Sequence, residues 1–268
     1  MAPPIITDQE FGQFQRFIFE AAGITLSSSK KALVSGRLSK RLAYYQLTSF
    51  SAYFRLLQSD EKPGEVQTAI DLLTTNETYF FREPAHFDFL RARALAAVGR
   101  GQPFRVWSAA SSTGEEAYSI AMVLADNMGS TQWEVFGSDI SSSVLVGARS
   151  GHYSMNRTGQ IPPTYLTRFC LKGSGTQEGT LLIDRAVRSK VRFAQVNLND
   201  TLPDIGLFDV IFLRNVMIYF SDDTKRGVVT RVLSKLKPGG HFCIGHSESL
   251  NDITTAVETL SPSIYRKP

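Results

Sequence analysis

Phe104-Arg105-Val106-Trp107-Ser108-Ala109-Ala110-Ser111-Ser112-Thr113-Gly114-Glu115-Glu116 reads as a short apolar strand, a polar loop of small residues and the opening of a helix. The strand is expected over Phe104 to Ala109 and the helix from about Glu115 to Asn127. In an open parallel sheet the ligand crevice lies at the carboxyl ends of the strands, which is where this loop falls. The loop carries one glycine where a dinucleotide fingerprint carries three, and it lacks the lysine of a P-loop. What remains is a backbone that a ligand can approach, with carboxylates at Glu115 and Glu116 suited to a cationic group or to hydroxyls. Alone, the same residues could simply cap the next helix.

The pattern repeats downstream. Trp133 to Gly137 is a second strand, finishing at Asp139, and Ser141 starts a helix through Ser150. Val191 to Val196, Phe208 to Leu213 and His241 to Gly245 are further strands, the last preceded by a helix over Asp222 to Leu236. Ser263 to Lys267 is expected to add an edge strand. Strands alternating with helices imply βαβ units and a parallel sheet, hence an α/β fold. Asp139 at a strand end can cap a helix or accept ribose hydroxyls. Taken with the Gly114 loop, it favours an adenosine-containing ligand without phosphates, of which S-adenosylmethionine is the common one. Arg214-Asn215 follows the fourth strand directly and stands at the same crevice. The Asn-Pro-Pro-Tyr motif of many amino-directed methyltransferases is absent there.

Upstream the character differs. Residues 8 to about 73 read as short helices: Asp8 capping one through Glu20, Thr48 or Ser49 capping one through Gln58, and Glu65 to Leu73 after a Lys62-Pro63-Gly64 turn. Between them, Ala21 to Gln58 carries Lys30, Lys31, Arg37, Lys40, Arg41 and Arg55 with no acid. On a helix, Arg37, Lys40, Arg41 and Tyr44 share one face and Leu38, Leu42 and Tyr45 another. Such a face is either solvated or a docking surface for something acidic. Leu73 to Glu83, with Asn76, Thr78 and Arg82, is either a linker or a segment that closes over a ligand. A last irregularity lies between about Arg157 and Lys190, where Pro162-Pro163, Gly173-Ser174-Gly175 and Gly179 interrupt the alternation. A small hairpin-like β insertion is expected there.

The 268 residues suffice for one large or two ordinary domains, and a net charge of +4 does not by itself name nucleic acid as a partner. No apolar run reaches membrane-spanning length, and Met1 to Glu10 does not read as a secretory signal. Cys170 and Cys243 have no metal-ligand spacing and read as reduced thiols of a cytoplasmic protein. The four histidines form no HExxH-type motif, so no metal is expected.

Four stretches together carry a specific resemblance: Asn76-Glu77-Thr78-Tyr79-Phe80-Phe81-Arg82, Val106 through Ser119, Phe208 through Phe220, and Leu236 through Glu248. The chain resembles the CheR family of chemotaxis receptor methyltransferases, protein-glutamate O-methyltransferases, over nearly its whole length. It departs at Ser111, where the family pattern has cysteine, and at Ala117, where it has proline. The resemblance implies a Rossmann-like S-adenosylmethionine-dependent methyltransferase sheet over 76–268. It also implies an all-helical receptor-docking domain over 1–75 and an inserted antiparallel β-subdomain at about 157–190. It places Asn76, Thr78 and Arg82 against the cofactor, Glu116 and Asp139 at its polar ends, Asn197-Leu198 beside the adenine and Arg214-Asn215 at the crevice floor. Arg82 and Tyr219 match positions that work at the methyl group. The implied substrate is a glutamate side chain on the cytoplasmic domain of a membrane chemoreceptor, with Arg37, Lys40 and Arg41 docking on it. The Gly173 to Gly179 element would grip the receptor's C-terminal peptide. The expected protein is a monomer with no nucleic-acid partner and no membrane insertion. Two rival readings are a non-catalytic cofactor-binding signalling module, which would bind without turnover, and a nucleic-acid methyltransferase, which would show steeply salt-dependent binding.

Overall fold

The computed structural model describes residues 4–59 and 61–268. Residues 1–3, where the reading of the amino terminus begins, and Asp60 lie outside the described residues. The chain opens with helices α1 (Asp8–Ala22), α2 (Lys31–Tyr44), α3 (Phe50–Gln58) and α4 (Glu65–Leu73). Thr7, not Asp8, caps α1: its side chain accepts from the Glu10 N–H while Glu10 reaches back to the Thr7 N–H. Ser49 caps α3 by accepting from Ala52.

The remainder is α5 (Pro84–Ala97), β1 (Phe104–Ser108), α6 (Glu115–Asn127), β2 (Trp133–Asp139), α7 (Ser142–Ser150), β3 (His152–Ser154), α8 (Pro163–Phe169), β4 (Cys170–Lys172), β5 (Thr180–Ile183), α9 (Arg185–Arg188), β6 (Val191–Gln195), β7 (Phe208–Leu213), α10 (Asp222–Ser234), β8 (Leu236–Ile244), β9 (Glu258–Ser261) and β10 (Ile264–Arg266). The main sheet runs β6-β2-β1-β7-β8-β10-β9, parallel through β8 and antiparallel beyond it. Alternate residues feed two cores. Trp107, Ile211 and Phe242 pack with α10 and the amino-terminal helices, whereas Val106, Val210 and Phe212 pack with α5 and α6.

Four expectations need correction. α10 stops at Ser234 and β8 begins at Leu236, five residues before His241, because Pro238-Gly239-Gly240 sits within the strand where the register shifts and does not form a turn. β10 is not an edge: it lies between β8 and β9, and β9 escaped notice because its sequence is polar. The inserted sheet starts at His152, before the expected boundary, with order β3-β5-β4. It also contains α8, whose Pro162-Pro163 opening is a helix start, proline being suited to the first helical position. No helix among the described residues is long and apolar enough to cross a membrane.

Candidate functional site

β2, β1 and β7 are neighbours, so their carboxyl ends bring the Gly114 loop, Asp139 and Arg214 to one rim. A cavity of about 330 Å³ opens there. Its walls include Asn76, Thr78, Arg82, Glu116, Asp139, Asn197, Leu198, Arg214 and Asn215, together with Tyr219. Every residue named for the cofactor or the methyl group therefore faces one space. Gly114 makes the loop possible. Its φ of +94° is left-handed, and an added Cβ would meet Ala148 Cβ and Tyr153 Oη at 3.0 Å.

Arg214 organises one wall. Its side chain is 1% exposed and lies 3.0 Å from both Glu83 Oε2 and Glu116 Oε2. It also donates to the Arg82 carbonyl. That carbonyl belongs to a turn in which Phe81 and Glu83 both have positive φ, near 55° and 59°, a conformation costing about 1–3 kcal/mol per non-glycine residue. The strained turn presents Arg82 to the cavity, with its guanidinium 5.5 Å from the Tyr79 ring centroid. Ser108 donates to Glu116 Oε1 at 2.7 Å. Burial nonetheless prevails over Arg214 and Ser108 and raises the Glu116 carboxyl above its usual range.

Asp139 is 7% exposed, and its oxygens take the N–H groups of Ser112 at 2.8 Å and Ser141 at 2.9 Å. Burial pushes its carboxyl up against those two bonds. No salt bridge to it occurs among the described residues. A buried carboxylate with unused acceptor capacity beside a cavity fits the hydroxyls of a nucleoside. Asn197 behaves differently, since its amide donates to the Ala21 carbonyl at 2.7 Å and to Asp200 at 2.8 Å, tying the end of α1 to the loop after β6. Tyr219 sits in a short 3₁₀ turn, Met217–Tyr219, with its phenol raised first by burial and then by Glu77. Glu248 shapes that turn by accepting from the N–H groups of Asn215 at 2.9 Å, Gly245 at 2.7 Å and Met217 at 2.8 Å.

Glu115 and the basic residues of α2, also singled out in the sequence, stand elsewhere. Glu115 turns away from the cavity toward Thr113 and Arg157. The α2 basic residues divide: Arg37 donates to the Leu72 and Thr74 carbonyls, and Arg41 pairs with Glu65 while lying over Tyr44, whereas Lys40 is exposed. Conversely, Thr25, Lys30 and Leu33 of the helical unit also line the cavity. Nothing in their local sequence marks them, because they arrive through the bridge between Ile24 and Phe220 that docks the helical unit on the sheet.

The family models for "CheR methyltransferase, all-alpha domain" and "CheR methyltransferase, SAM binding domain" match residues 9–74 and 76–265. A chemotaxis protein methyltransferase of Escherichia coli (strain K12) is 41% identical over 265 residues, covering 97% of this chain and 91% of the relative. Chemotaxis protein methyltransferase 2 of Pseudomonas aeruginosa is 40% identical over 262 residues, covering 97% and 93%. The chain belongs to the CheR family and is an S-adenosylmethionine-dependent methyltransferase acting in chemotaxis.

Proposed function

We propose that the chain methylates glutamate carboxylates on the cytoplasmic domains of membrane chemoreceptors, leaving glutamate methyl esters and S-adenosylhomocysteine. The observation that carries this reading is the meeting of Arg82 and Tyr219 with Glu116 and Asp139 in one cavity that has no phosphate cradle. Asp139 accepts ribose hydroxyls, and Glu116 faces the cationic amino-acid end. Asn76, Thr78 and the Arg214-Asn215 backbone line the same walls, with Leu198 and Asn197 on the adenine side.

S-adenosylmethionine supplies a methyl group on a sulfonium, which a carboxylate oxygen displaces in line as the carbon–sulfur bond breaks. A glutamate with a pKa near 4.3 is already ionised at neutral pH, so no side chain has to remove a proton. The protein's work is placement, and holding two reactants in attack geometry can supply roughly 7–11 kcal/mol. Arg82 orients the incoming carboxylate and Tyr219 hydrogen-bonds beside it. Because tight pairing with arginine would blunt the nucleophile, the half-buried, turn-mounted Arg82 suits positioning better than the buried Arg214.

The inserted sheet offers β3 and β4 as free edges. A receptor C-terminal peptide would add there as a further strand and tether substrate near the cavity. Lys40, with the α2 surface around Arg37 and Arg41, is the part of the helical unit that meets the receptor. The enzyme works as a monomer in the cytoplasm.

Radiolabelled methyl transfer to chemoreceptor cytoplasmic fragments, with and without their C-terminal peptides, tests the reading. Base-labile label on the fragments is expected. Cofactor binding with no label on any fragment would overturn it in favour of a signalling module without turnover.

A further inference from the structure

Outside the cofactor cavity, Glu83, His86 and His246 bring one donor atom each to within 4.8 Å of one another. Glu83 caps α5, His86 lies in its first turn, and His246 follows β8. The His86 side chain is 1% exposed. Its Nε2 lies 2.7 Å from Ser263 Oγ, and the Ser263 hydroxyl itself donates to the Pro262 carbonyl at 2.6 Å. Ser263 Oγ therefore accepts, and the ring proton stays on Nε2. Nδ1 faces Glu83 Oε2 at 3.4 Å and has no hydrogen-bond partner among the described residues. A buried ring nitrogen left without a partner is unfavourable unless a ligand engages it.

We propose that Glu83, His86 and His246 form a binding site for a divalent transition metal of the zinc type. Zinc–ligand bonds of about 2.0–2.1 Å in a tetrahedron separate the ligand atoms by roughly 3.4 Å. The His86–Glu83 distance is 3.4 Å, and His246 Nε2 stands 3.9 Å from the same oxygen on a side chain 51% exposed, which can close the remainder. The His86 to Ser263 bond is the outer hydrogen bond that fixes the tautomer of a ligating histidine. Glu83 Oε2 uses one lone pair for Arg214 and keeps another for the metal. Two carboxylates, Glu83 and Glu116, face the single Arg214 guanidinium, so the cluster keeps an excess negative charge. Two imidazoles and a carboxylate select zinc, copper or nickel over magnesium or calcium.

Equilibrium dialysis of the full chain against Zn²⁺, and visible absorption with Co²⁺, test the site. One tightly held Zn²⁺ per chain is expected, with Co²⁺ bands free of thiolate charge transfer. His246→Ala should weaken Zn²⁺ binding by roughly a hundredfold or more, since loss of even an outer-shell partner costs about 10–100-fold. His86→Gln should do the same, and His152→Ala, which removes an exposed histidine elsewhere, should change nothing. Zn²⁺ binding undiminished in both His246→Ala and His86→Gln, a cobalt–thiolate band, or no tight Zn²⁺ on the wild-type chain would each overturn the proposal. None of these readouts depends on the methyl-transfer assignment.

Discussion

The carboxylate of Asp71, in the last helix of the amino-terminal unit, caps the N-terminus at Ser142 in the sheet domain. Oδ1 accepts from the Ser142 N–H at 2.9 Å, and Oδ2 accepts from the Ser143 N–H at 3.0 Å and the Ser142 hydroxyl at 2.8 Å. Gln67 reinforces the joint by donating to Asp71 at 2.7 Å and to the Ile140 carbonyl at 3.0 Å. Ser141, just before this helix, supplies an N–H that holds Asp139. One carboxylate thus fastens the helical unit to the segment that carries Asp139 on the cavity wall.

Asp71→Ala should therefore destabilise the chain by about 1 kcal/mol, with a ceiling of about 2, as loss of a helix cap does. Urea unfolding followed by circular dichroism reads this as a lower midpoint. Because Asp139 depends on the same segment, S-adenosylmethionine affinity should fall as well. An unchanged midpoint would show that water caps α7 equally well.

Ser111 marks a second local conflict. The resemblance puts cysteine at this position, and here the serine is fully buried with its Oγ lacking any hydrogen-bond partner. An unsatisfied buried hydroxyl costs about 1–3 kcal/mol. Ser111→Cys and Ser111→Ala should both raise the unfolding midpoint, the cysteine by more because it fills the space. A loss of stability in both would mean that the hydroxyl is satisfied in solution.

Acid should loosen the helical unit. Burial works to raise the Glu65 carboxyl, but Arg41, Tyr53 and Tyr45 all donate to it and prevail, so it titrates below 4.5. A folded-state pKa below the unfolded one gives stability that is complete above the unfolded value and is lost as pH falls through the folded value. Glu10, which accepts from Thr7 and Ser51, is lowered in the same sense. Glu116 and Asp139 are raised, so their protonation relieves burial and does not weaken the sheet domain. The stability gap between wild type and Glu65→Gln should be constant down to about pH 5 and shrink below 4.5. A gap that stays constant in acid would refute the assignment.

The α/β architecture was readable because Phe208 to Leu213 and its fellows are strong, short apolar runs, and strand ends are where parallel sheets hold ligands. The residues named from the sequence lie near those ends or in the contiguous Asn76 to Arg82 stretch, so they gather at one cavity, although most of its other lining residues carry no such mark. α5 was missed because Phe87, Leu90, Ala94 and Ala97 bury while Leu95 is 54% exposed, which leaves no clean apolar stripe. The amino-terminal contribution of Thr25, Lys30 and Leu33 depends on docking between units, and the cluster joins His246 to the Glu83–His86 pair far upstream in the chain. Arg37 and Arg41 show the limit of a helical wheel, which places side chains on a face but cannot say that Leu72, Thr74 and Glu65 already engage them.

Arg82 and Tyr219 should separate by kinetics. Tyr219 lines the cavity from a turn that Glu248 holds through the Met217 N–H, so Tyr219→Phe removes one hydroxyl and leaves the backbone intact. Its expected signature is a fall in kcat of about tenfold, as for the loss of one hydrogen bond of roughly 1.4 kcal/mol made in the transition state. Cofactor affinity should be unchanged. Arg82→Ala removes a charge that faces both reactants and should lower kcat and also raise the KM for the receptor. Arg82→Lys should recover little of this, because an ammonium lacks the planar fork that orients a carboxylate. Wild-type turnover in both Arg82→Ala and Tyr219→Phe at saturating cofactor would remove these residues from the chemistry and leave placement to the Arg214 wall.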